Sequence, residues 1–209
     1  MQHAILFDLD GTLIDTERLA IASGLAAFAA AGHPVEAAFL HGLIGRDTPT
    51  SERQIRAALP AVDLDVVNRL WRQGFRAMLD ADLPLKPGAR DLLARLAGRR
   101  LALVTSSGRS EAALKLERAG LAEHFGHVVT LDDVTAAKPA PEPYLLAAYR
   151  LGVAPARCVV FEDSETGAQS AHAAGCVVVQ VPDILPATGR FAHHIAPDLL
   201  SGARAMGLI

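Results

Sequence analysis

Cysteine and aromatic side chains are scarce in this chain. Two cysteines, Cys158 and Cys176, imply no disulfide framework. Each opens a short apolar run, so both read as small buried hydrophobes. One tryptophan and two tyrosines leave little material for an aromatic binding surface. An excess of one charge is also missing. Twenty basic residues stand against 23 acidic ones, a net charge of -3, with the signs interspersed. That pattern excludes the basic stripe of a nucleic-acid binder and the polybasic patch of a membrane-surface protein. No apolar run approaches the roughly 20 residues that a membrane-spanning helix needs. The N-terminus has no basic region followed by a long apolar one, so no signal peptide is expected. A cytoplasmic protein, without nucleic-acid or membrane partners, is the reading. The eight histidines show no metal-ligand spacing. His193 and His194 read as a surface pair, and His172 as a solvent-facing residue of a helix.

What is present in quantity is apolar. Hydrophobic residues make up 51% of the 209, with alanine abundant, enough for a large core in one or two domains. The organising stretch is Ile5-Leu6-Phe7-Asp8-Leu9-Asp10-Gly11-Thr12-Leu13. Residues 4–7 are too few for a helix and apolar throughout, the signature of a buried parallel strand. Asp8 and Asp10 follow it. Side chains two apart on an extended segment project to the same side, so both carboxylates can reach one small volume beyond the strand. In open parallel sheets that edge is where ligands bind.

After Leu13 the hydrophobic period changes to that of helices. Asp15 and Thr16 are N-cap candidates, and Leu19, Leu25, Phe28 and Ala29 suit one helical face, which Gly32 and Pro34 end. Helices are predicted over 35–43, 50–59 and 65–79, with Trp71 in the core of the group. The loop 45–49 separates two of them, and residues 83–88 read as a return linker. From there strands alternate with helices. Strands are predicted at 101–104, 127–129, 158–161 and 177–179, and helices at 89–96, 110–119, 142–151 and 166–174. Alternation of this kind gives an α/β fold, a doubly wound, mostly parallel sheet. The expected organisation is a Rossmann-like core of residues 1–14 and 86–209 with a small all-helical cap, residues 15–85, inserted after the first strand.

The polar residues then fall in line. Asp8, Asp10, Thr105, Glu162 and Asp163 each sit just past the carboxyl end of a predicted strand, and Lys138 sits in a loop entering a helix. Together they resemble the four ordered motifs of the haloacid dehalogenase-like hydrolase superfamily. Asp8-Leu9-Asp10-Gly11-Thr12 looks like its first motif, Thr105 its second, Lys138-Pro139-Ala140-Pro141 its third and Glu162-Asp163-Ser164 its fourth. The helical insert is similar to the cap of the phosphatase branch that holds phosphoglycolate phosphatase and β-phosphoglucomutase.

The resemblance implies a phosphatase acting on a small phosphorylated metabolite, as a monomer or homodimer. Asp8 would be the nucleophile, forming an aspartyl-phosphate, and Asp10 the acid that protonates the leaving alcohol and then the base for water. Lys138, Thr105 and the amide of Ser106 would face the phosphoryl oxygens. Three carboxylates at one place call for a cation, and oxygen donors suit Mg2+. The implied ligands are Asp8, the backbone carbonyl of Asp10 and Asp163, with Glu162 a ligand or just behind them. Arg46 falls in the cap loop that reaches toward substrate in this branch; a solvated arginine is the alternative. A phosphomutase on the same scaffold is a second reading. Mutases of this branch carry a histidine twelve residues after the nucleophile, where this chain has Ala20. A catalytically silent binding protein is a third, against which every catalytic position is filled. Dehalogenation is disfavoured, because Asp10 has no purpose when the leaving group is halide.

Overall fold

The computed structural model of the chain describes residues 4–43 and 48–209. They form two compact units. One joins Met1–Asp15 to Pro84–Ile209, and the other is Thr16–Leu83.

In chain order the first unit begins with β1 (Ala4–Phe7), whose four side chains are all buried. The second unit follows: α1 (Thr16–Ala30), α2 (Ala37–His41), α3 (Thr48–Ala58) and α4 (Leu64–Ala81). Asp63 caps α4, its carboxylate accepting from the amides of Asp65 and Val66 at 3.0 and 3.2 Å. The unit closes around Phe28, Leu40, Leu64 and Val67, all at most 2% exposed. Trp71 packs edge-on against Phe28 and donates its indole N–H to the carbonyl of Ala20 at 2.9 Å. The indole lies on bare backbone: a Cβ at Gly24 would stand 2.7 Å from its ring. The helix predicted over 35–43 shortens to α2, because Glu36 is extended and Gly42 ends the turn.

The chain re-enters the first unit beside the place where it left. The Asp15 amide donates to the Pro84 carbonyl at 2.8 Å, and the Lys86 amide to the Leu13 carbonyl at 2.9 Å. Ile14 and Leu85 pair between them as an antiparallel bridge. Then come α5 (Ala89–Arg95), β2 (Arg100–Val104), α6 (Arg109–Ala119), β3 (His127–Val129), α7 (Glu142–Leu151), β4 (Cys158–Glu162), α8 (Glu165–Ala173), β5 (Val177–Gln180), β6 (His194–Ile195) and α9 (Leu199–Ala205).

Among the described residues six strands form one sheet, ordered β3-β2-β1-β4-β5-β6, with neighbouring strands paired in parallel. Such strands are covered on both faces, which is why they read as continuous apolar runs. Alanine from α7 and α8 packs on them: Ala147, Ala168 and Ala171 are fully buried beside Leu6, Val160 and Val178. Small side chains let the helix backbones approach the sheet closely. Phe7 is in register with Leu103 on one side and Phe161 on the other. The two phenylalanine rings stack at 5.1 Å. The loops leaving β1, β2 and β4 therefore emerge together at one edge, beside the central strand, where the strand order turns from one side to the other.

Beyond residue 180 the sequence pattern is too short to assign, and there the structure adds β6 and α9. His193 and His172 are exposed and His194 partly so, in keeping with a surface pair and a solvent-facing helix residue. His193 also accepts the Val178 amide on Nδ1 at 3.0 Å and stacks on His172 at 5.5 Å, while His194 begins the edge strand. Cys158 and Cys176 are both buried and free, as expected.

Candidate active site

Three strand ends meet at one ammonium group. Lys138 Nζ donates to Asp8 Oδ1 at 2.7 Å, to Glu162 Oε1 at 2.6 Å and to the Val104 carbonyl at 2.9 Å. These partners follow or end β1, β4 and β2 respectively, so the three protons of one lysine tie together the ends of three adjacent strands. The lysine side chain is only 5% exposed.

Glu162 is fully buried and enclosed by donors. Besides Lys138, it accepts the Tyr144 hydroxyl at 2.6 Å on Oε1 and the Ser164 hydroxyl at 3.1 Å on Oε2. The Tyr144 ring also lies 5.1 Å from Lys138 Nζ, within cation–π range. Ser164 does double duty, since its Oγ caps α8 by accepting the Gly167 amide at 3.1 Å. Gly167 has no side chain for a reason: a Cβ there would overlap both Glu162 oxygens.

Asp163 stands over Gly11. That glycine has φ +82, a left-handed conformation, and a Cβ on it would meet the Asp163 carboxyl carbon at 2.8 Å. Thr12, buried, directs its hydroxyl to Asp163 Oδ1 at 3.5 Å. Oxygens of Asp8, Glu162 and Asp163 lie within 4.8 Å of one another.

Charge in this space is unbalanced. Burial is the largest influence on Asp8 and raises its carboxyl; Lys138 opposes that, Glu162 and Asp10 reinforce it, and the result is a pKa of about 7. Burial likewise holds Asp163 well above the ordinary carboxylate range, with Asp8 and Glu162 adding to the effect. Burial alone would lower Lys138, but the two carboxylates on it outweigh that and hold its proton more firmly than usual. Three carboxylates with one lysine form a site that a cation would complete. The donors are hard oxygens, and the residues fit Mg2+.

Asp10 faces a second lysine. Its Oδ1 accepts from Lys115 Nζ at 2.8 Å and its Oδ2 from the Ser107 hydroxyl at 3.1 Å. Lys115 also donates to Ser107 Oγ at 3.0 Å and pairs with Glu111 at 2.5 Å. Burial would lower the pKa of Lys115, and its contacts with Asp10 and Glu111 raise it instead. Thr105 is buried, with its hydroxyl oxygen accepting the Ser107 amide at 3.0 Å. Ser106 is exposed.

Of the residues singled out from sequence, Asp8, Glu162, Asp163 and Lys138 come together directly, and Asp10 and Thr105 are joined to each other through Ser107. Arg46 lies outside the described residues. Tyr144, Ser107 and Lys115 escaped notice in the sequence, and Ser164 entered only as the last residue of the fourth motif. Lys115 carried one signal, a cation at a position of α6 whose neighbours Ala112, Leu116 and Ala119 face the core.

The profile of the haloacid dehalogenase-like hydrolases matches residues 2–175. A fructose-1-phosphate phosphatase of Escherichia coli is 36% identical over 181 residues, 85% of this chain and 95% of that protein. Hexitol phosphatase A of Escherichia coli is 39% identical over 190 residues, 84% of this chain and 81% of that one. A solved family hydrolase from Deinococcus radiodurans, with bound phosphate and sodium, superposes with a TM-score of 0.87 at 28% identity, covering 100% of this chain and 97% of that one. With the four motifs gathered at one sheet edge and this likeness running through the chain, the protein belongs to the haloacid dehalogenase-like hydrolase family.

Proposed function

We propose that the chain is a Mg2+-dependent phosphatase that hydrolyses a small phosphorylated metabolite of the sugar-phosphate type through an aspartyl-phosphate on Asp8. The observation that carries this reading is the buried Lys138 locked against Asp8 and Glu162 at the ends of three strands. A lysine is seldom buried without such partners, and here it places a fixed positive charge beside a candidate nucleophile. The names of the two Escherichia coli relatives support the substrate class.

In this reading a carboxylate oxygen of Asp8 attacks phosphorus, and the bond from phosphorus to the ester oxygen breaks. Asp10 gives its proton to the departing alkoxide. Water then attacks the phosphorus of the acyl phosphate, Asp10 takes the proton from that water, and the bond to Asp8 breaks to restore its carboxylate. Lys138 balances charge on Asp8 and on the phosphoryl oxygens throughout; positioning and charge neutralisation carry most of such catalysis. A bound Mg2+, held by Asp8, Asp163 and the backbone of Asp10, would supply further positive charge there. Glu162, already engaged by Lys138, Tyr144 and Ser164, serves by holding Lys138. The position that bears a histidine in the mutases is Ala20 here, so phosphomutase chemistry is disfavoured.

The test is phosphate release from a panel of phosphorylated sugars, polyols and glycolate with Mg2+. Activity on at least one, lost in excess chelator and lost in Asp8→Asn with the fold intact, is expected. Full activity in Asp8→Asn would refute the assignment.

A further inference from the structure

We propose that Lys115 is a positioning residue for Asp10, fixing where the acid–base carboxylate stands during phosphoryl transfer. The inference rests on the phosphatase reading above and adds to it a residue outside the four motifs.

Lys115 is an interior residue of α6, and its side chain is 4% exposed. A lysine so placed must find a partner for each of its donors. It does so with Asp10, Ser107 and Glu111. Glu111 lies one turn back on the same helix. Alone, such an i,i+4 pair contributes little to stability and needs no buried member. What Glu111 does is hold the ammonium in place from its own helix, as Ser107 does from the loop after β2. Both are therefore set by α6 and the sheet, independently of Asp10.

Asp10 is the guest in this arrangement. Its side chain is 30% exposed, it stands on the turn after β1, and its two oxygens are gripped by different donors. Oδ1 goes to Lys115 and Oδ2 to Ser107. Two points of attachment fix both torsions of an aspartate, whereas one would leave the carboxylate free to turn. The site thus uses two buried lysines in parallel, Lys138 on Asp8 and Lys115 on Asp10. One neutralises the nucleophile, and the other determines the direction from which a proton is given and taken.

The two ester types separate positioning from plain stability. An alkyl leaving group needs the proton of Asp10, while p-nitrophenolate leaves without it. The full-length chain with Mg2+ is assayed on p-nitrophenyl phosphate and on fructose 1-phosphate, as wild type, Lys115→Met and Ser107→Ala. Misplacement of a reacting group by about 1 Å costs on the order of 10²-fold. Lys115→Met is therefore expected to lower kcat/KM on the sugar ester at least about tenfold more than on the aryl ester, and Ser107→Ala to shift the ratio in the same direction by less. A ratio of sugar to aryl activity that is unchanged or raised in folded Lys115→Met overturns the proposal. If Lys115→Met does not fold, Ser107→Ala decides alone, since it strands no charge, and an unchanged ratio there overturns the proposal equally. A wild-type enzyme that releases phosphate from neither ester, nor from the wider panel, refutes the phosphatase reading, and this inference with it.

Discussion

Replacing Gly167 by alanine tests how tightly the lysine clasp is built. In a helix interior the change ordinarily stabilises by up to about 1 kcal/mol. Gly167 is the third residue of α8, and there the new methyl group would overlap both carboxylate oxygens and the carboxyl carbon of Glu162. Rotation of that carboxylate in place relieves nothing, because both oxygens are obstructed. The group must leave, and it is fully buried. Lys138 then loses one of its two carboxylate partners, and the Tyr144 hydroxyl loses its acceptor. Breaking a buried ion pair costs about 3–5 kcal/mol, and an orphaned buried hydroxyl about 1–3 kcal/mol. Set against the helix gain, a net loss of roughly 3–7 kcal/mol results, on the order of 10–20 °C in melting temperature for a chain of this length. Phosphate release should fall with it. Urea unfolding of the single variant gives the loss, and the same change made in Glu162→Ala isolates its cause. Without the glutamate there is nothing to overlap, so alanine at 167 should be neutral or slightly stabilising in that background. A Gly167→Ala protein as stable and active as wild type, or an equal loss in both backgrounds, would refute the reasoning.

Three further outcomes are expected. Lys138→Met leaves Glu162 buried beside an uncompensated Asp8, so it should cost about 3–5 kcal/mol in urea unfolding and abolish phosphate release; Lys138→Arg should not rescue activity, because the three acceptors surround a point donor. In the metal-free protein Asp8 keeps its proton up to about 7 against an ordinary 3.8. Folding therefore takes up a proton between those values, and stability falls as pH rises through them. Mg2+ needs the carboxylate, so its gain in melting temperature should be larger at pH 8 than at pH 5, and an equal gain at both would count against Asp8 as a ligand. Burial tends to raise Asp133, but bonds from Thr130, Arg150 and Arg109 outweigh it and hold the carboxyl below its usual range. Its contribution is fully present above about pH 4 and fades only as pH falls from there toward the lowered value of the folded state, so Asp133→Asn should destabilise most at neutral pH and progressively less as pH drops below about 4, as read by unfolding midpoints.

The alternation of strands and helices was legible because each element buries a distinctive face. Residues 4–7 and 158–161 are apolar throughout since helices cover both sides of the sheet. Asp8, Asp10 and the acidic pair at 162 and 163 stood out because charge directly after a buried strand needs a reason, and Lys138 because it stands before a proline-rich turn at the entry to a helix. Tyr144 did not, because an aromatic residue in a helix reads as core, and its hydroxyl target is 18 residues away in sequence. The contact between Lys115 and Asp10 spans 105 positions, and no local period encodes such a distance. From sequence Glu162 is a metal ligand or a residue just behind the ligands; that its oxygens accept from Lys138, Tyr144 and Ser164 is a matter of packing. Ser106 and Ser107 were equivalent as letters, and the turn after Thr105 decides which hydroxyl faces Asp10.

The bridge between Ile14 and Leu85 bears on the ancestry of such chains. Asp15 and Pro84 are hydrogen-bonded neighbours, so the sheet sees the whole excursion between them as a single tight junction. The entropy of closing a loop there rises only slowly with its length. A lineage could lengthen, shorten or exchange everything from Thr16 to Leu83 while the strands, their register and the two lysines stay where they are.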